Sequence, residues 1–318
     1  MSFSGLLPIN KPENLGSKDV ARRIMRFVGK QKIGHVGTLD PFASGVLPLL
    51  FGKATKVQDY LLSTCKTYEC EILLGSNTDT LDRDGEALKS LAYDHVTKEL
   101  IEEKLKTLLG EQIQEPPIYS AVKYKGKALY KYARSDKAES VPVEKLKRKV
   151  NIFSIDFLSF DGERIYFSTK VSKGTYIRVL AQTLVNLLGT AGHVTKLIRT
   201  ESSLLDLEDC YKLDPLLESL EKGESLESFL VPVSKIKIDL PQVRVLSELS
   251  KEKLLKGQKI VLIKEGVIKD SFLFSQEKLN SCSSSEVILE DEKGLLFAIG
   301  ETFQEGVDLL LKVRRGLV

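Results

Sequence analysis

The sequence predicts a mixed α/β protein of the α+β class, with a large N-terminal domain and a small C-terminal β domain. Segments with the 3.6-residue period of helices alternate with segments that have the two-residue period of strands. Short strand-like runs, separated by Gly, Ser and Asp, fill about the last 85 residues. The chain has 318 residues, more than one ordinary domain needs. We therefore expect two domains, at residues 1–231 and 232–318, with the boundary near Pro232.

Periodicity and end signals predict the individual elements. Ser17 can cap a helix, and Gly29 stands where a left-handed C-terminal residue is needed. Helices are predicted at Ser17–Gly29 and Glu99–Leu109, and after Gly174 with Ile177, Leu180, Leu184 and Leu188 on one face. Strands are predicted at Thr67–Gly75, Arg164–Ser172, Lys259–Ile263, Ser271–Phe274, Glu286–Leu289, Leu295–Ile299 and Asp308–Val313.

The charge distribution suggests a polyanionic partner more than the net charge does. The net charge is only +3, but residues 11–36 hold seven Lys/Arg against two acids, and residues 121–150 hold ten against three. Residues 201–229 reverse the sign, with nine acids and two lysines. This asymmetry is typical of a one-sided positive surface that binds RNA or DNA. By charge alone, solvated helix faces explain it equally well.

Several functional classes are not expected. No run approaches the roughly 18 apolar residues of a membrane helix, and MSFSGLLPINKP lacks the features of a secretory signal. Cytoplasmic residence is therefore expected. Zinc spacing is absent, since the cysteines at 65, 70, 210 and 282 form no CxxC pair and the chain has three histidines. No phosphate loop is present, so we expect neither a metal nor a cofactor.

The segment GHVGTLDPFASGVLPLLFG, residues 34–52, is the most unusual in the chain. Its glycines and prolines surround a single carboxylate, Asp40, which Pro41 holds out of the helical region. A carboxylate on a rigid, irregular loop is a candidate for catalysis. For an isolated Asp-Pro pair, capping of a turn is the slightly commoner role.

In the context of the other motifs, this segment resembles a known family. The pattern Gly34-His35-x-Gly37-x-Leu39-Asp40-Pro41-x-Ala43-x-Gly45-x-Leu47-Pro48 is similar to the catalytic signature of the tRNA pseudouridine-55 synthases, the TruB family. Further motifs follow the family's order at Lys11-Pro12, Lys66-Thr67-Tyr68, LGSNTDTLDRDGE (74–86), PIYSAVK (117–123), SKGTYIR (172–178), Gly192-His193-Val194 and Leu197-Ile198-Arg199. The chain departs from the family's KPxGxxS stretch at Asn14. Asparagine tolerates left-handed backbone, so we expect the turn to be kept.

The resemblance implies a fold, a reaction and a set of site residues. The fold would be that of pseudouridine synthases, with a largely antiparallel central sheet and a PUA-like domain at 232–318. The chain would isomerise uridine to pseudouridine at position 55 in the T-loop of tRNA, as a monomer that binds the T-arm, with Asp40 as the catalytic carboxylate. The implied substrate-binding residues are His35 as an RNA contact, Tyr68 as a stacking platform for the uracil, and Tyr176, Arg178 and Leu197 as the rest of the pocket.

The chemistry of the reaction fits these residues. It breaks the N1–C1′ bond, turns the uracil and joins C5 to C1′, without redox change or an outside group. A carboxylate acting as a nucleophile at C1′ or as a base at C2′ therefore suffices, and no cofactor is expected. Arg178 is suited to orient Asp40, so we expect the two within about 4 Å of each other. The basic segment, residues 116–150, interleaves cations with tyrosines and is expected to hold RNA.

Two alternatives remain open from the sequence. The first is a non-catalytic RNA-binding or RNA-folding protein on the same scaffold, which would not require Asp40, Tyr68 and Arg178 together. The second is an enzyme that cleaves nucleoside glycosidic bonds, which typically uses two carboxylates and a water molecule. Possible second carboxylates are Asp79, Asp82 and Asp84.

Overall fold

The computed structural model describes residues 3–135, 141–264, 267–268, 272–274, 284–306 and 308–317. The helices are α1 (Ser17–Val28), α2 (Gln58–Leu62), α3 (Lys98–Thr107), α4 (Leu129–Ala133), α5 (Ile177–Leu187), α6 (Leu213–Glu221) and α7 (Glu248–Leu255). The strands up to Pro232 are β1 (Gly5–Lys11), β2 (Ile33–His35), β3 (Ser44–Phe51), β4 (Lys66–Leu74), β5 (Ser76–Thr78), β6 (Ala87–Ser90), β7 (Gly110–Gln114), β8 (Lys123–Tyr124), β9 (Lys127–Ala128), β10 (Arg148–Phe160), β11 (Arg164–Val171), β12 (Gly192–Ser202), β13 (Leu205–Asp206), β14 (Tyr211–Lys212) and β15 (Val231–Pro232). Those that follow are β16 (Gln242–Val245), β17 (Ile260–Lys264), β18 (Val267–Ile268), β19 (Phe272–Phe274), β20 (Ser284–Glu290), β21 (Leu296–Glu305) and β22 (Asp308–Gly316).

A large sheet forms the body of the first part of the chain. Its strand order is β14-β1-β3-β12-β4-β11-β10-β7, with β2 on β3, β13 on β12 and β15 on β1. The pairs β1–β14 and β3–β12 are parallel, and the other pairs of this sheet are antiparallel. The expectation of a largely antiparallel central sheet is confirmed.

The core lies between this sheet and the helices that pack on it. Tyr68, Cys70, Ile72 and Leu74 are all buried in one cluster, as the two-residue period of the segment predicted. Helix α5 packs on β12 and β4, and α3 packs on β10. The predicted elements of this part of the chain are present, with ends that differ by one or two residues.

One sequence-based expectation about helix α1 was wrong. Ser17 is not the N-cap but the first helical residue, and Gly16 occupies the N-cap position without a side-chain cap. The Ser17 hydroxyl instead bonds the backbone of Leu39, in the loop that carries Asp40. The Ser17 hydroxyl therefore makes a tertiary contact instead of capping the helix. Gly29 does end the helix with positive φ, as expected.

The C-terminal part forms a separate seven-stranded sheet with the order β18-β17-β22-β21-β20-β16-β19. It confirms the expected small β domain and is consistent with a PUA-like fold. The predicted strands correspond to β17, β19, β20, β21 and β22; Ser271, at the start of one, lies outside the described residues. The sequence did not reveal β16, β18 or α7. The division at residues 231 and 232 stays a prediction; the last strand of the large sheet ends at Pro232.

The two sheets meet at helix α2. The hydroxyl of Tyr60 donates to Glu286 Oε1 at 2.9 Å, and Arg315 Nη2 lies 3.3 Å from Asp59 Oδ2. Beneath these polar contacts, a buried apolar cluster takes residues from both parts, including Leu61 and Ile299. Helix α2 ends at Leu62, which lines a cavity of the first part of the chain.

Candidate active site

A cavity of about 270 Å³ opens where the Asp40 loop, strand β4, strand β12 and the start of helix α5 meet. The residues that line it are Gly37, Thr38, Leu39, Asp40, Leu62, Lys66, Tyr68, Ser120, Ala121, Ser172, Lys173, Gly174, Thr175, Tyr176, Ile177, Arg178, Leu197 and Arg199. Five of the six predicted site residues are among them. They come from four separate motifs of the sequence, which the fold brings together.

The loop that presents Asp40 joins β2 to β3 and is anchored from below. The Ser17 hydroxyl accepts a hydrogen bond from Leu39 N at 2.9 Å and donates to Leu39 O at 3.1 Å. Gly45 closes the loop at φ +105°, where an added Cβ would lie 2.2 Å from the Arg199 carbonyl oxygen. Only glycine permits both this backbone and this close approach. Asp40 is thus held on a fixed support, with its side chain 34% exposed to the cavity.

Lys11 supports the same loop from inside the protein. It is fully buried, and its Nζ donates to the carbonyls of Pro12, Leu15 and Pro41 at 2.8, 2.6 and 3.2 Å. Burial lowers the pKa of Lys11 to about 8, and the nearby Asp40 carboxylate acts in the opposite direction. Asn14 has φ +62°, so the turn after the Lys-Pro pair keeps its left-handed residue as expected.

Arg178 bridges two carboxylates. Its Nη2 lies 2.9 Å from Asp40 Oδ2, and its Nη1 lies 3.2 Å from Asp82 Oδ2. The same nitrogens donate to the carbonyls of Thr80 at 2.5 Å and Tyr119 at 2.9 Å. The Arg178 side chain is 3% exposed and that of Asp82 is 7% exposed. The expected ion pair between Arg178 and Asp40 is confirmed, and Asp82 is its buried second partner.

Apolar and aromatic groups form the rest of the wall. Tyr68 on β4 and Leu197 on β12 are both nearly buried, with 7% and 5% exposure. Tyr176 is the N-cap residue of α5, and Gln114 bonds its backbone N and O at 3.0 and 3.4 Å. The guanidinium of Arg148 lies over the Tyr176 ring, 4.7 Å from its centre. Two rings and an aliphatic side chain around one carboxylate can enclose a flat heterocycle.

His35 lies outside the set of wall residues. It ends β2, and its Nε2 is 3.2 Å from the hydroxyl of Thr38, which does line the cavity. Burial lowers the pKa of His35, and the cations Lys18 and Arg199 lower it further. The imidazole therefore favours its neutral form next to the cavity. Its contact with RNA stays a prediction.

The sequence did not reveal seven polar wall residues. They are Thr38, Lys66, Ser120, Ser172, Lys173, Thr175 and Arg199. Each lies within one of the family-like motifs of the sequence, but nothing in the local pattern separates a cavity residue from a surface residue. Arg199 is buried at 1% exposure and donates to the carbonyls of Val46 and Gly37 at 2.7 and 3.0 Å.

The basic segment is described at residues 116–135 and 141–150, and residues 136–140 lie outside the described part. Lys127 lies 4.7 Å from the centre of the Tyr132 ring, and Lys125 lies 5.4 Å from that of Tyr124. Two cations at the far end are paired instead. Lys147 and Lys149 bond Glu115 and Glu111 at 2.9 and 2.8 Å.

In the described part of the chain, no group of three or more His, Cys, Asp or Glu side chains is arranged to hold a metal ion. Cys282 lies outside those residues. None of the helices among the described residues combines the length and the hydrophobicity that a membrane-spanning helix requires.

Solved structures resemble the whole chain in fold. A chain from "Structure of H/ACA RNP bound to a substrate RNA containing 2'-deoxyuridine" superposes with a TM-score of 0.73 at 22% identity, covering 99% of this chain and 85% of that one. A chain from a Cbf5-Nop10-Gar1 complex superposes with a TM-score of 0.72 at 25% identity and the same coverage. These superpositions support the fold expected from the sequence.

Sequence relatives identify the family. The family described as "TruB family pseudouridylate synthase (N terminal domain)" matches residues 22–177. The protein of Halalkalibacterium halodurans named tRNA pseudouridine synthase B is 39% identical over 81% of this chain and 84% of its own length. The protein of the same name from Caldanaerobacter subterraneus subsp. tengcongensis is 40% identical over 81% of this chain and 86% of its own. By this similarity over four fifths of its length, the chain belongs to the TruB family of pseudouridylate synthases.

Proposed function

We propose that this chain is a tRNA pseudouridine synthase that isomerises the uridine at position 55 in the T-loop, with Asp40 as the catalytic carboxylate. One observation carries the proposal most directly. Asp40 is the single acidic side chain among the described residues that line the cavity, and Arg178 orients its carboxylate at 2.9 Å. The relatives named tRNA pseudouridine synthase B support the substrate class.

The wall residues have complementary roles in this reaction. The target base must leave its stack, at a cost of a few kcal/mol, and stacking on an aromatic side chain returns roughly 1–3 kcal/mol. Tyr68 provides that surface, while Tyr176 and Leu197 enclose the uracil and exclude water. Asp40 then acts at C1′ as a nucleophile or at C2′ as a base. The N1–C1′ bond breaks, the uracil turns, and C5 joins C1′ with its proton passing to solvent while N1 gains one.

The position of Asp82 argues against a two-carboxylate hydrolase. Such an enzyme needs a second carboxylate that faces the substrate and a water molecule. The Asp82 carboxylate is buried against Arg178 and accepts a hydrogen bond from the Thr80 hydroxyl at 2.6 Å. Neither Asp79 nor Asp84 lines the cavity. A purely RNA-binding protein, the other alternative, has no use for a buried arginine that aligns one cavity carboxylate.

The binding partner in this proposal is the T-arm of tRNA. In this proposal, Lys125, Lys127 and the tyrosines of the basic segment, together with His35 beside the cavity, would contact RNA around the target nucleotide. The C-terminal sheet would add RNA contacts away from the site. A monomeric state, cytoplasmic residence and the absence of a cofactor stay predictions.

Replacing Asp40 with asparagine tests the proposal. Asparagine keeps the shape of the side chain but cannot act as nucleophile or base, so Asp40→Asn should bind unmodified tRNA transcript normally and form no pseudouridine. Asp84→Asn removes the same charge from an exposed loop position and should keep parent activity. Product is mapped at single-nucleotide resolution, in protein purified from a host that lacks its own enzyme for this position. Substantial product from Asp40→Asn, or parent product at another position only, would contradict the assignment.

A further inference from the structure

The charges that line the cavity are unevenly distributed. Asp40 meets Arg178, whose second carboxylate partner is Asp82, so this group carries a net charge of −1. The remaining charged wall residues are all cations: Lys66, Lys173 and Arg199. None of these three forms an ion pair with any described residue.

Lys66 is the most informative of the three. It is 6% exposed, and its Nζ donates to the carbonyls of Leu62 at 2.9 Å and Thr64 at 2.6 Å. An ammonium group has three N–H donors, so one remains after these two bonds. The carbonyls belong to the end of helix α2 and the turn after it, which fix the ammonium at the cavity wall.

The surroundings of Lys66 do not compensate its charge. Burial lowers its pKa to about 8 and the Arg199 cation lowers it further; Cys65 acts in the opposite direction, and the Lys173 cation adds the smallest lowering effect. Lys11 is buried to a similar degree, but Asp40 and Glu13 lie close enough to favour its charged form. A buried cation without a counter-ion is costly, so an anion supplied from outside would be bound strongly at Lys66.

We propose that Lys66, Lys173 and Arg199 form a phosphate subsite that binds a backbone phosphodiester flanking the target uridine. This inference rests on the proposed function, because it takes the cavity ligand to be a nucleotide within RNA. The phosphate is the only anionic group of such a nucleotide. With the uracil on Tyr68 and C1′ at Asp40, the phosphate at the cationic wall fixes the ribose between them, and Lys66 becomes a residue that positions the reacting sugar.

The subsite is tested by pairing Lys66→Met with RNA that lacks one charge. Binding is measured with a T-arm stem-loop RNA in the Asp40→Asn background, so that no turnover intervenes. Two further RNAs carry a neutral methylphosphonate at the linkage 5′ or 3′ of the target uridine. The matched control is Lys170→Met, which removes an exposed cation opposite Thr67 on the neighbouring strand, outside the cavity.

The expected pattern is specific to direct contact. Lys66→Met should weaken binding of the ordinary RNA about tenfold or more, whereas Lys170→Met should change it by less than about threefold. With the methylphosphonate at the contacted linkage, Lys66→Met should cause no further loss. If the affinity loss caused by Lys66→Met multiplies with the loss caused by the methylphosphonate at both linkages, the proposal is overturned. If the thermal melt shows that Lys66→Met does not fold, the exposed Lys173→Gln variant is measured with the same three RNAs. This set of measurements, the double-mutant cycle of side chain and phosphate, is then judged by the same outcomes.

Two further measurements complete the test. The first distinguishes a site for the RNA backbone from a site for free anions, and the second distinguishes a failure of the subsite from a failure of the proposed function. Inorganic phosphate is added alone, and its effect on the melting temperature is compared between parent and Lys66→Met. Protection that requires Lys66, together with multiplying losses at both linkages, would show a site for free anions and overturn the assignment to the RNA backbone. Pseudouridine formation by the parent is the second measurement. If the parent makes pseudouridine but the cycle shows no coupling, only the subsite fails. If coupling is found but no pseudouridine forms, the proposed function fails instead.

Discussion

Replacing Arg178 with methionine removes the group that holds both carboxylates, and the structure predicts separate effects on stability and on rate. The Asp82 carboxylate, with 7% of its side chain exposed, would lose its cation. Breaking a buried ion pair from one side costs about 3–5 kcal/mol. Asp82 keeps hydrogen bonds from the Thr80 hydroxyl at 2.6 Å and from Asp84 N at 3.1 Å, which favours the lower figure. About 3 kcal/mol lowers the melting temperature of a large domain by roughly 6–12 °C.

A second substitution separates the two effects. In the double variant Arg178→Met with Asp82→Asn, residue 82 no longer carries a buried charge without a partner, so most of the lost melting temperature should return. The rate should not return, because Asp40 still lacks the guanidinium that orients it. Misplacing a catalytic group by about 1 Å costs on the order of 100-fold in rate. Both variants should therefore show at least this loss.

The assays are thermal melts and single-turnover formation of pseudouridine at saturating tRNA. Lys251→Met serves as the charge control, because Lys251 also contacts two acidic side chains, Glu248 and Asp291, but lies in the C-terminal part of the chain. It should keep the parent rate. The reasoning is refuted if Arg178→Met melts within about 2 °C of the parent, against the shift expected for a buried pair. It is also refuted if the double variant recovers its rate together with its melting temperature.

Two further predictions concern RNA binding. Replacing Lys125 and Lys127 with serine should weaken tRNA binding and lower the slope of log affinity against log salt concentration by about 0.7 for each lost phosphate contact. The single-turnover rate at saturating tRNA should stay unchanged. In the control, serine at the glutamate-paired Lys147 and Lys149 should leave the slope near the parent value. The pKa of Lys66 lies near 8 in the free protein, below the ordinary value of lysine, so Lys66 loses its charge as the pH rises through about 8. RNA affinity measured from pH 7 to 9 should therefore fall in the parent and change less in Lys66→Met.

The elements that sequence patterns predicted well are those whose burial follows a simple period. Strand β4 alternates between the core and the other face, so Tyr68 and its partners could be assigned to one side from the sequence. Strand β3 (SGVLPLLF) is buried along nearly its whole length and contains Pro48, so it has no two-residue period to recognise. Its place beside β1 depends on a pairing across tens of residues, which periodicity does not encode.

The site was predictable as a set of motifs but not as a geometry. Ser17 illustrates the limit, because the capping rule uses only neighbours in the chain, while its hydroxyl is committed to Leu39. Asp82 illustrates the same limit of sequence patterns. As one of three acids in a polar loop it was a candidate second catalytic carboxylate, and only the fold shows it buried against Arg178.

The buried guanidinium explains why separate motifs of the sequence belong together. The acceptors of Arg178 are Asp40 in the LDP motif, Thr80 and Asp82 in LGSNTDTLDRDGE, and Tyr119 in PIYSAVK, while Arg178 itself ends SKGTYIR. A guanidinium has five N–H donors in a fixed plane, and burial makes each unpaired donor costly. Three distant segments therefore supply acceptors to Nη1 and Nη2 at set positions, and the fourth motif carries the guanidinium itself, whose Nε has no hydrogen-bond partner among the described residues. The orientation of Asp40 then follows from the same packing that closes this part of the fold, so a substitution that displaces one of these acceptors should disturb the Asp40 carboxylate even where it touches no substrate.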